Sequence, residues 1–431
     1  MTAPPSQAYA SPFAPRVAAF LGAEALSAVG SWATIIAVWG YAAYEYGATP
    51  GDVSLFGLAF AVPGVVLGPV AGAVIDRLGP KATLAAAKVI GIVASLALLA
   101  ADDFRTLALL SALHGVSMAL SLPALQSMPP RLVGEQHLAR TNALVSLTDE
   151  LAIVLGPVAA GVGIAAFGFR GAFVFDAATY GLGLVVLPLV RLRRPAAGGT
   201  GGDQTPPVSL RDALEGWRLI ARSVVLRRVV TCTFLVHLLY GLALLAEPLY
   251  VRDVLERPEE VFAALQTVFG VCLVAGGLAA ARAGERLASF GWVAAGVGAS
   301  GVTAIVYLGT PWVAVAFVGV AAWGVATALI SGPSRTLLQR GSPERAHGRV
   351  LSADYVAGSG AELGGVAVAG VLVAAFGVPW TILGVGSTVA VAAAWLAARD
   401  RRDGGRPAPA VAVAVAEPAA TTAEPAAADV L

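Results

Sequence analysis

Charge is what this sequence has least of. Only 13% of its 431 residues are Asp, Glu, Lys or Arg, against about 25% in a soluble globular domain, while 57% are hydrophobic. Such a chain is built to face lipid. A net charge of +1 offers neither a basic face for nucleic acid nor an acidic one for a basic partner. The two cysteines, Cys232 and Cys272, sit inside apolar runs, so no disulfide framework is expected. No His/Cys cluster has metal-ligand spacing. A G-x-x-x-x-G-K-[ST] loop for ATP and a G-x-S-x-G elbow for a serine hydrolase are both missing. The expectation is a non-enzymatic chain with no cofactor and no metal. Residues 1–15 lack charge and a short apolar core with a cleavage site, so no cleaved signal peptide is expected.

What the sequence does have is long apolar runs and 50 glycines, and glycine is commoner in membrane helices than in soluble ones. A helix needs about 20 apolar residues to cross the hydrocarbon core. Stretches of that kind fall near 17–45, 52–75, 82–101, 105–128, 140–168 and 170–191, then near 227–252, 259–282, 289–308, 312–336, 347–376 and 378–398. The reading is an all-α membrane protein of twelve transmembrane helices. A barrel would need short alternating segments instead. With both termini inside, the outer loops hold only Arg105, Arg170, Arg252 and Arg257, and the other 24 of the 28 basic residues fall on or near the cytoplasmic side. The positive-inside rule selects that orientation.

The organisation read from composition is an N-terminal segment 1–15, a six-helix bundle 16–191, a cytoplasmic linker 192–226, a second bundle 227–398 and a disordered tail 399–431. Within the linker, GGTGGDQTPP is flexible by composition. SLRDALEGWRLIARSVVLRR reads as a basic amphipathic helix on the inner leaflet.

Self-similarity decides the architecture. At an offset of 209, Phe60 falls on Phe269, Gly68 on Gly277, Asp76-Arg77 on Glu285-Arg286, Arg131 on Arg340 and Arg140 on Arg349. Gly156 and Gly161 fall on Gly365 and Gly370, and Ala165-Ala166-Phe167-Gly168 on Ala374-Ala375-Phe376-Gly377. The two bundles are thus parallel repeats about an axis along the membrane normal, pseudo-symmetric by construction.

On these residues the chain resembles the major facilitator superfamily, from about Arg16 to Arg399. LGPVAGAVIDRLGPKATL at 67–84 is similar to that family's signature between helices two and three, through Gly72, Asp76, Arg77, Gly79 and Lys81. Pro80 departs from it, standing where a basic residue is common. LGPVAAG at 155–161, with Gly156, Pro157 and Gly161, resembles the helix-five pattern of antiporters, with Ala160 replacing one glycine. ARTNALVSLTDELAIVLGP and SLRDALEGWRLIARS look most like the enterobactin-exporter and macrolide-efflux branch.

The resemblance implies a cytoplasmic gate formed by Asp76, Arg77, Lys81 and Arg131, with a weaker copy at Glu285, Arg286 and Arg340. Gly72 would permit close helix approach and Gly79 a tight turn. A plain positive-inside turn is the rival reading, favoured for Lys81 and Arg349. Chemistry is sought where the repeat fails. Asp149 and Glu150 fall on Gly358 and Ser359, about nine residues into helix five, or roughly 13 Å deep. Glu24 sits at similar depth in helix one. Intramembrane acids are costly and functional by default, so these three are the proton-coupling candidates, with ion pairing or helix–helix bonding as rivals. Helices one, four, seven and ten line the cavity in this fold, which makes Trp32, His114, His237, Tyr240 and Trp323 substrate-cavity candidates. The histidines can equally be satisfied interior residues. Asp354 and Glu362 share neighbouring faces of helix eleven. Asp176, Glu45 and Glu247 lie towards the outer ends and are expected to reach water, while Trp312 and Trp380 fit an interfacial belt.

The function this implies is a monomeric secondary transporter in the cell membrane. Its partners are a small-molecule substrate, protons and membrane lipid, with no nucleic acid. Export of drug-like or siderophore-like molecules by proton antiport is preferred. Nutrient uptake by symport or uniport, and a non-transporting membrane sensor or assembly partner, are the competing readings.

Overall fold

The computed structural model describes residues 14–133, 135–192, 210–343 and 346–403. In this region the chain is helical almost throughout. Helix α1 spans Pro15–Glu45, α2 Pro50–Leu78, α3 Pro80–Leu98, α4 Phe104–Gln126, the single turn α5 Pro129–Leu132 and α6 Glu135–Val186. The second half follows with α7 Leu210–Arg222, α8 Val224–Leu249, α9 Glu259–Ala283, α10 Phe290–Leu308, α11 Val313–Arg340 and α12 His347–Arg402. Nine helical stretches among the described residues are long and apolar enough to cross a membrane.

Local chemistry sets the boundaries. Proline opens α1, α2 and α3, where its missing N–H costs nothing. Thr49 and Asp52 form a reciprocal capping box on α2, and Asp103 accepts from the Thr106 amide at 2.9 Å to cap α4. Gly79, at φ 82°, turns the chain from α2 into α3, as its place in the motif requires.

α6 and α12 run 52 and 56 residues, roughly 80 Å each at 1.5 Å per residue, far more than one crossing. Each breaks at a glycine: Gly168 at φ 66°, ψ −179° and Gly377 at φ 74°, ψ 165°. Only glycine enters that region without strain. The two breaks are themselves 209 residues apart. The same offset relates the starts of α1 and α8, of α2 and α9, and of α4 and α11, so the repeat read over helices two to five extends over each whole half. With both long helices divided at their breaks, twelve long helical rods result, six per half.

The halves meet through matched close approaches. A Cβ on Gly161 would run into Thr267 Oγ1 and the Ala263 carbonyl of α9; one on Gly370 would run into Ser54 Oγ and the Pro50 carbonyl of α2. Within each half, Gly156 packs on Trp32 of α1, and its counterpart Gly365 on the Leu238 carbonyl of α8. Ser54 Oγ also donates to Val366 O at 2.8 Å and accepts from Gly370 N at 2.9 Å.

α7 packs on α8 and α12. Gly216 abuts the Arg349 backbone, and Arg349 pairs with Glu215 at 2.7 Å. The amphipathic helix is therefore part of the second half. Arg228, at the start of α8, pairs with Asp400 at 2.8 Å and with Asp403, tying that half's first rod to its last.

Gly161→Ala and Gly370→Ala should each destabilise the detergent-solubilised protein by about 1–3 kcal/mol through overpacking. Gly163→Ala, where a Cβ meets nothing within 4 Å, should be neutral or stabilising by up to about 1 kcal/mol. Thermal unfolding of the three variants checks this.

Candidate functional site

The densest polar grouping lies inside the first half, where the rods of α1, α3, α4 and the second arm of α6 (residues 169–186) converge. Lys88 of α3 is 1% exposed and stands 3.0 Å from Glu24 Oε1 of α1, itself 5% exposed. Lys88 Nζ also reaches Ser27 Oγ at 3.4 Å and lies 5.6 Å from the centre of the Tyr180 ring. Beside this pair is Asp176, with no exposure at all. Ser95 Oγ donates to its Oδ2 at 2.8 Å and Ser31 Oγ reaches its Oδ1 at 3.4 Å. His114 Nδ1 of α4 stands 3.6 Å from Oδ2. Ser31 further contacts the Tyr180 hydroxyl at 2.9 Å, and Ser117 donates to the Ala87 carbonyl at 2.8 Å. The small hydroxyl residues of α1, Ser27, Ser31 and Thr34, all face this cluster or the α6 arm behind it. A cleft lined by Thr34, Trp39, Phe56, Phe60 and Ser111 reaches the His114 ring.

Glu24 thus comes to a buried ion pair, one of the two alternatives its sequence allowed. Lys88 does not follow the sequence reading, which set it among basic residues near the cytoplasmic face. It is wholly interior, and a lone lysine in the apolar run ATLAAAKVIG is the signal that marks it. Asp176 and Glu247 do not reach water either: both are buried, whereas Glu45 is exposed as expected. The side chains of Asp149 and Glu150 lie outside the described residues, as does that of Glu285.

The second half answers with aromatics. His237 Nδ1 donates to the Thr233 carbonyl one turn earlier, at 2.8 Å, and its ring meets Tyr240 edge-on. The Tyr240 hydroxyl donates to Thr327 Oγ1 of α11 at 2.6 Å. Trp323 packs against Tyr240, Phe269 and Tyr307 with ring centres 5.6–5.9 Å apart. The cavity candidates His237, Tyr240 and Trp323 are therefore one connected wall. His114 belongs to the ionic cluster, and Trp32 to the α1–α6 contact at Gly156. Asp354 on α12 is partly buried with its Oδ1 unpartnered.

The offset exposes how unequal the halves are. Glu24, Ser27, Lys88, Ser95, His114, Asp176 and Tyr180 correspond to Thr233, Val236, Val297, Ala304, Trp323, Val385 and Val389. One half has a charged interior at positions where the other carries a threonine, aliphatic residues and a tryptophan.

The gate candidates lie at the end of the bundles nearest the linker. Asp76 and Arg77 end α2 exposed, and Asp76 makes no ion pair among the described residues. Lys81 donates to the Val190 carbonyl at 2.7 Å and reaches that of Pro188 at 3.4 Å, within its own half. Arg131 is partly buried on α5, and Arg286 and Arg340 are exposed. Gly72 does not serve close approach: it is exposed, and a Cβ there would meet nothing within 4 Å.

Among the described residues, the hydrogen bonds between the halves gather at the opposite end. Arg252 Nη1 donates to the carbonyls of Ala43 and Ala48 while its fork holds Asp253. The Tyr44 hydroxyl donates to the Arg257 carbonyl at 3.2 Å. The guanidinium thus satisfies carbonyls at the C-terminal end of α1, where the helix dipole favours a cation. A short π-helical turn, Tyr250–Val254, presents it.

Two outcomes follow. Lys88→Met should cost about 3–5 kcal/mol by stranding a buried carboxylate, and adding Glu24→Met should recover most of it, as read by denaturant unfolding in detergent. In a cysteine-free background, an Ala48→Cys reporter should react about tenfold faster with a water-soluble maleimide when Arg252 is replaced by Ala, the equivalent of one charge-assisted hydrogen bond.

Comparison with known proteins agrees with this architecture. The Major Facilitator Superfamily model matches residues 20–364. An uncharacterised MFS-type transporter of Bacillus subtilis strain 168, YfiS, is 25% identical over 370 residues, covering 84% of this chain and 88% of that protein. A second, y4rN of Sinorhizobium fredii, is 28% identical over 53% of this chain and 56% of its own. Among solved structures, a bacterial homologue of the human lysosomal transporter Spinster, inward-facing and unoccupied, superposes with a TM-score of 0.71 at 15% identity, over 92% of this chain and 99% of that one. A D-xylose–proton symporter gives 0.67 at 15% identity, over 88% and 97%. At such identities the structures speak for the fold alone. The family match over most of the chain, with its repeated six-rod halves and apolar helices, makes this protein a member of the Major Facilitator Superfamily, a multi-span membrane transporter and not an enzyme.

Proposed function

We propose that the protein exports small hydrophobic or amphipathic organic molecules, drug-like or siderophore-like, in exchange for protons. It would act as a monomer in the cell membrane, with twelve crossings and both termini cytoplasmic. The observation that carries this is the inequality of the two halves. A buried Glu24–Lys88 pair with Asp176 beside it has no stability rationale, because apolar residues of similar size serve as well or better in such places. The second half does without it at the same positions. Ionisable groups kept inside a membrane bundle at that cost are proton-relay chemistry.

The substrate class follows from the other wall. His237, Tyr240 and Phe269, half-buried and backed by the buried Trp323, offer ring faces and few hydrogen-bonding groups, which suits a flat or amphipathic molecule and leaves a sugar poorly satisfied. Alternating access supplies the cycle. The bonds gathered around Arg252 close one end, and the exposed Asp76 and Arg77 lie at the other, an arrangement that fits an inward-open state. Re-pairing of Asp76 with Arg131 would then close the cytoplasmic side when the Arg252 end opens. Of the helix-five residues, Pro157 and Gly161 lie on the contact with α9 of the other half, where the halves must slide, while Gly156 packs on α1 within its own half.

Everted vesicles containing the protein should accumulate ethidium or another amphipathic dye from a panel only while a proton gradient is maintained. Accumulation without the gradient, or none for any dye, would sink proton-coupled export. Glu24→Gln, Asp149→Asn and Glu150→Gln, made singly, then test the acids read from the sequence. If all three retain gradient-driven accumulation, none of them carries the proton.

A further inference from the structure

We propose that the exchangeable proton is held between Asp176 and His114. The inference rests on the proton-coupled reading above and names the group that reading leaves open. It begins from a charge count over every element packed around Asp176. α1 contributes Glu24, α3 contributes Lys88, α4 contributes His114, and the α6 arm itself carries Tyr180. Glu24 and Lys88 face each other at 3.0 Å and neutralise each other. That leaves the Asp176 carboxylate with hydroxyl partners only, from Ser31, Thr34 and Ser95. An ionised carboxylate with no solvent exposure and no cationic partner of its own is heavily penalised. One proton removes the cost.

His114 supplies the second half of the argument. It is 1% exposed, and both ring nitrogens lack a hydrogen-bond partner. An unsatisfied buried polar group calls for an explanation. Its Nδ1 points to Asp176 Oδ2 across 3.6 Å, just too long for a hydrogen bond. A neutral imidazole keeps one N–H, on one ring nitrogen or the other, so without a further proton the pair carries the full carboxylate charge. One more proton closes the gap as O–H to Nδ1 or, with both ring nitrogens protonated, as N–H to Oδ2, and in either form the pair has no net charge. Phe60 stacks on the ring from α2 at 6.2 Å, which holds its plane while the proton comes and goes.

The link to the transport cycle is α1. Its outer end receives Arg252 at Ala43, and nine to twelve residues earlier in the same helix Ser31 and Thr34 touch Asp176 and the Ala172 carbonyl. A shift of α1 when the Arg252 seal opens would change the hydroxyl set around Asp176, and with it the site's hold on the proton. The second half carries Val385 and Trp323 at the two positions, so the fold itself does not require them.

The test needs no knowledge of the natural substrate. Purified full-length protein in weakly buffered detergent is stepped between acidic and alkaline pH, and the protons released per molecule are counted with an indicator dye. Wild type should release one proton more than Asp176→Asn, and His114→Gln should change the pH window of that release. Equal release and an unchanged window in both variants overturn the inference. Should Asp176→Asn not fold, the His114→Gln window alone decides. A parallel flux arm uses proteoliposomes and ethidium. Gradient-driven accumulation should fall to the empty-liposome level in Asp176→Asn; wild-type accumulation in that variant overturns the inference while proton antiport stands. Gradient-independent transport by the wild type instead removes antiport and leaves the proton count to judge the site.

Discussion

Every peptide N–H and C=O that enters hydrocarbon must find its partner inside the chain, and the rest of this structure is a response to that demand. It explains why the described residues are helical almost without interruption and why the interruptions are so few. Where α6 and α12 must reverse, the chain leaves the helix at a single glycine, Gly168 or Gly377. With the backbone satisfied locally, side chains are free to decide how the rods meet. Lipid gives no hydrophobic drive for that, so contact depends on closeness: glycine faces at Gly156, Gly161, Gly365 and Gly370 admit neighbouring backbone or side chains directly.

The duplicated frame carries two different interiors. One half encloses a charged cluster knit by serine hydroxyls, the other an aromatic wall around Trp323. The same rods at the same offset hold both, which separates what the architecture needs from what the activity needs. Ion pairs buried in this way do not raise stability over apolar packing, so their confinement to one half points to chemistry. On the proposed reading, protons in one bundle and substrate contacts in the other would be coupled by the relative motion of the bundles.

Much of this was legible along the chain. The apolar runs matched the rods to within a few residues, and the offset of 209 paired Gly168 with Gly377, the two residues at which the long helices break. Depth along the membrane was readable too, since it follows from counting residues. Lateral burial was not. Asp176 lies only six residues beyond Arg170, near an outer end by count, yet α1, α3 and α4 enclose it completely. Lys88 was hidden for the same reason: a basic residue within a few turns of a helix start passes for an interfacial one until its neighbours are known. Gly72 fails in the opposite sense, for a small residue in a motif does not reveal whether another helix is there to use the space.

Arg252 rests against Ala43, the residue that holds its own place in the other half. Only a point on the pseudo-two-fold axis can touch its image, so the closure at that end sits where the repeats coincide. Were the two repeats identical there, two arginines would set guanidinium against guanidinium, and two alanines would leave the helix carbonyls bare. The difference between the halves at this one position, a long cation facing a small residue, is what makes the bond possible.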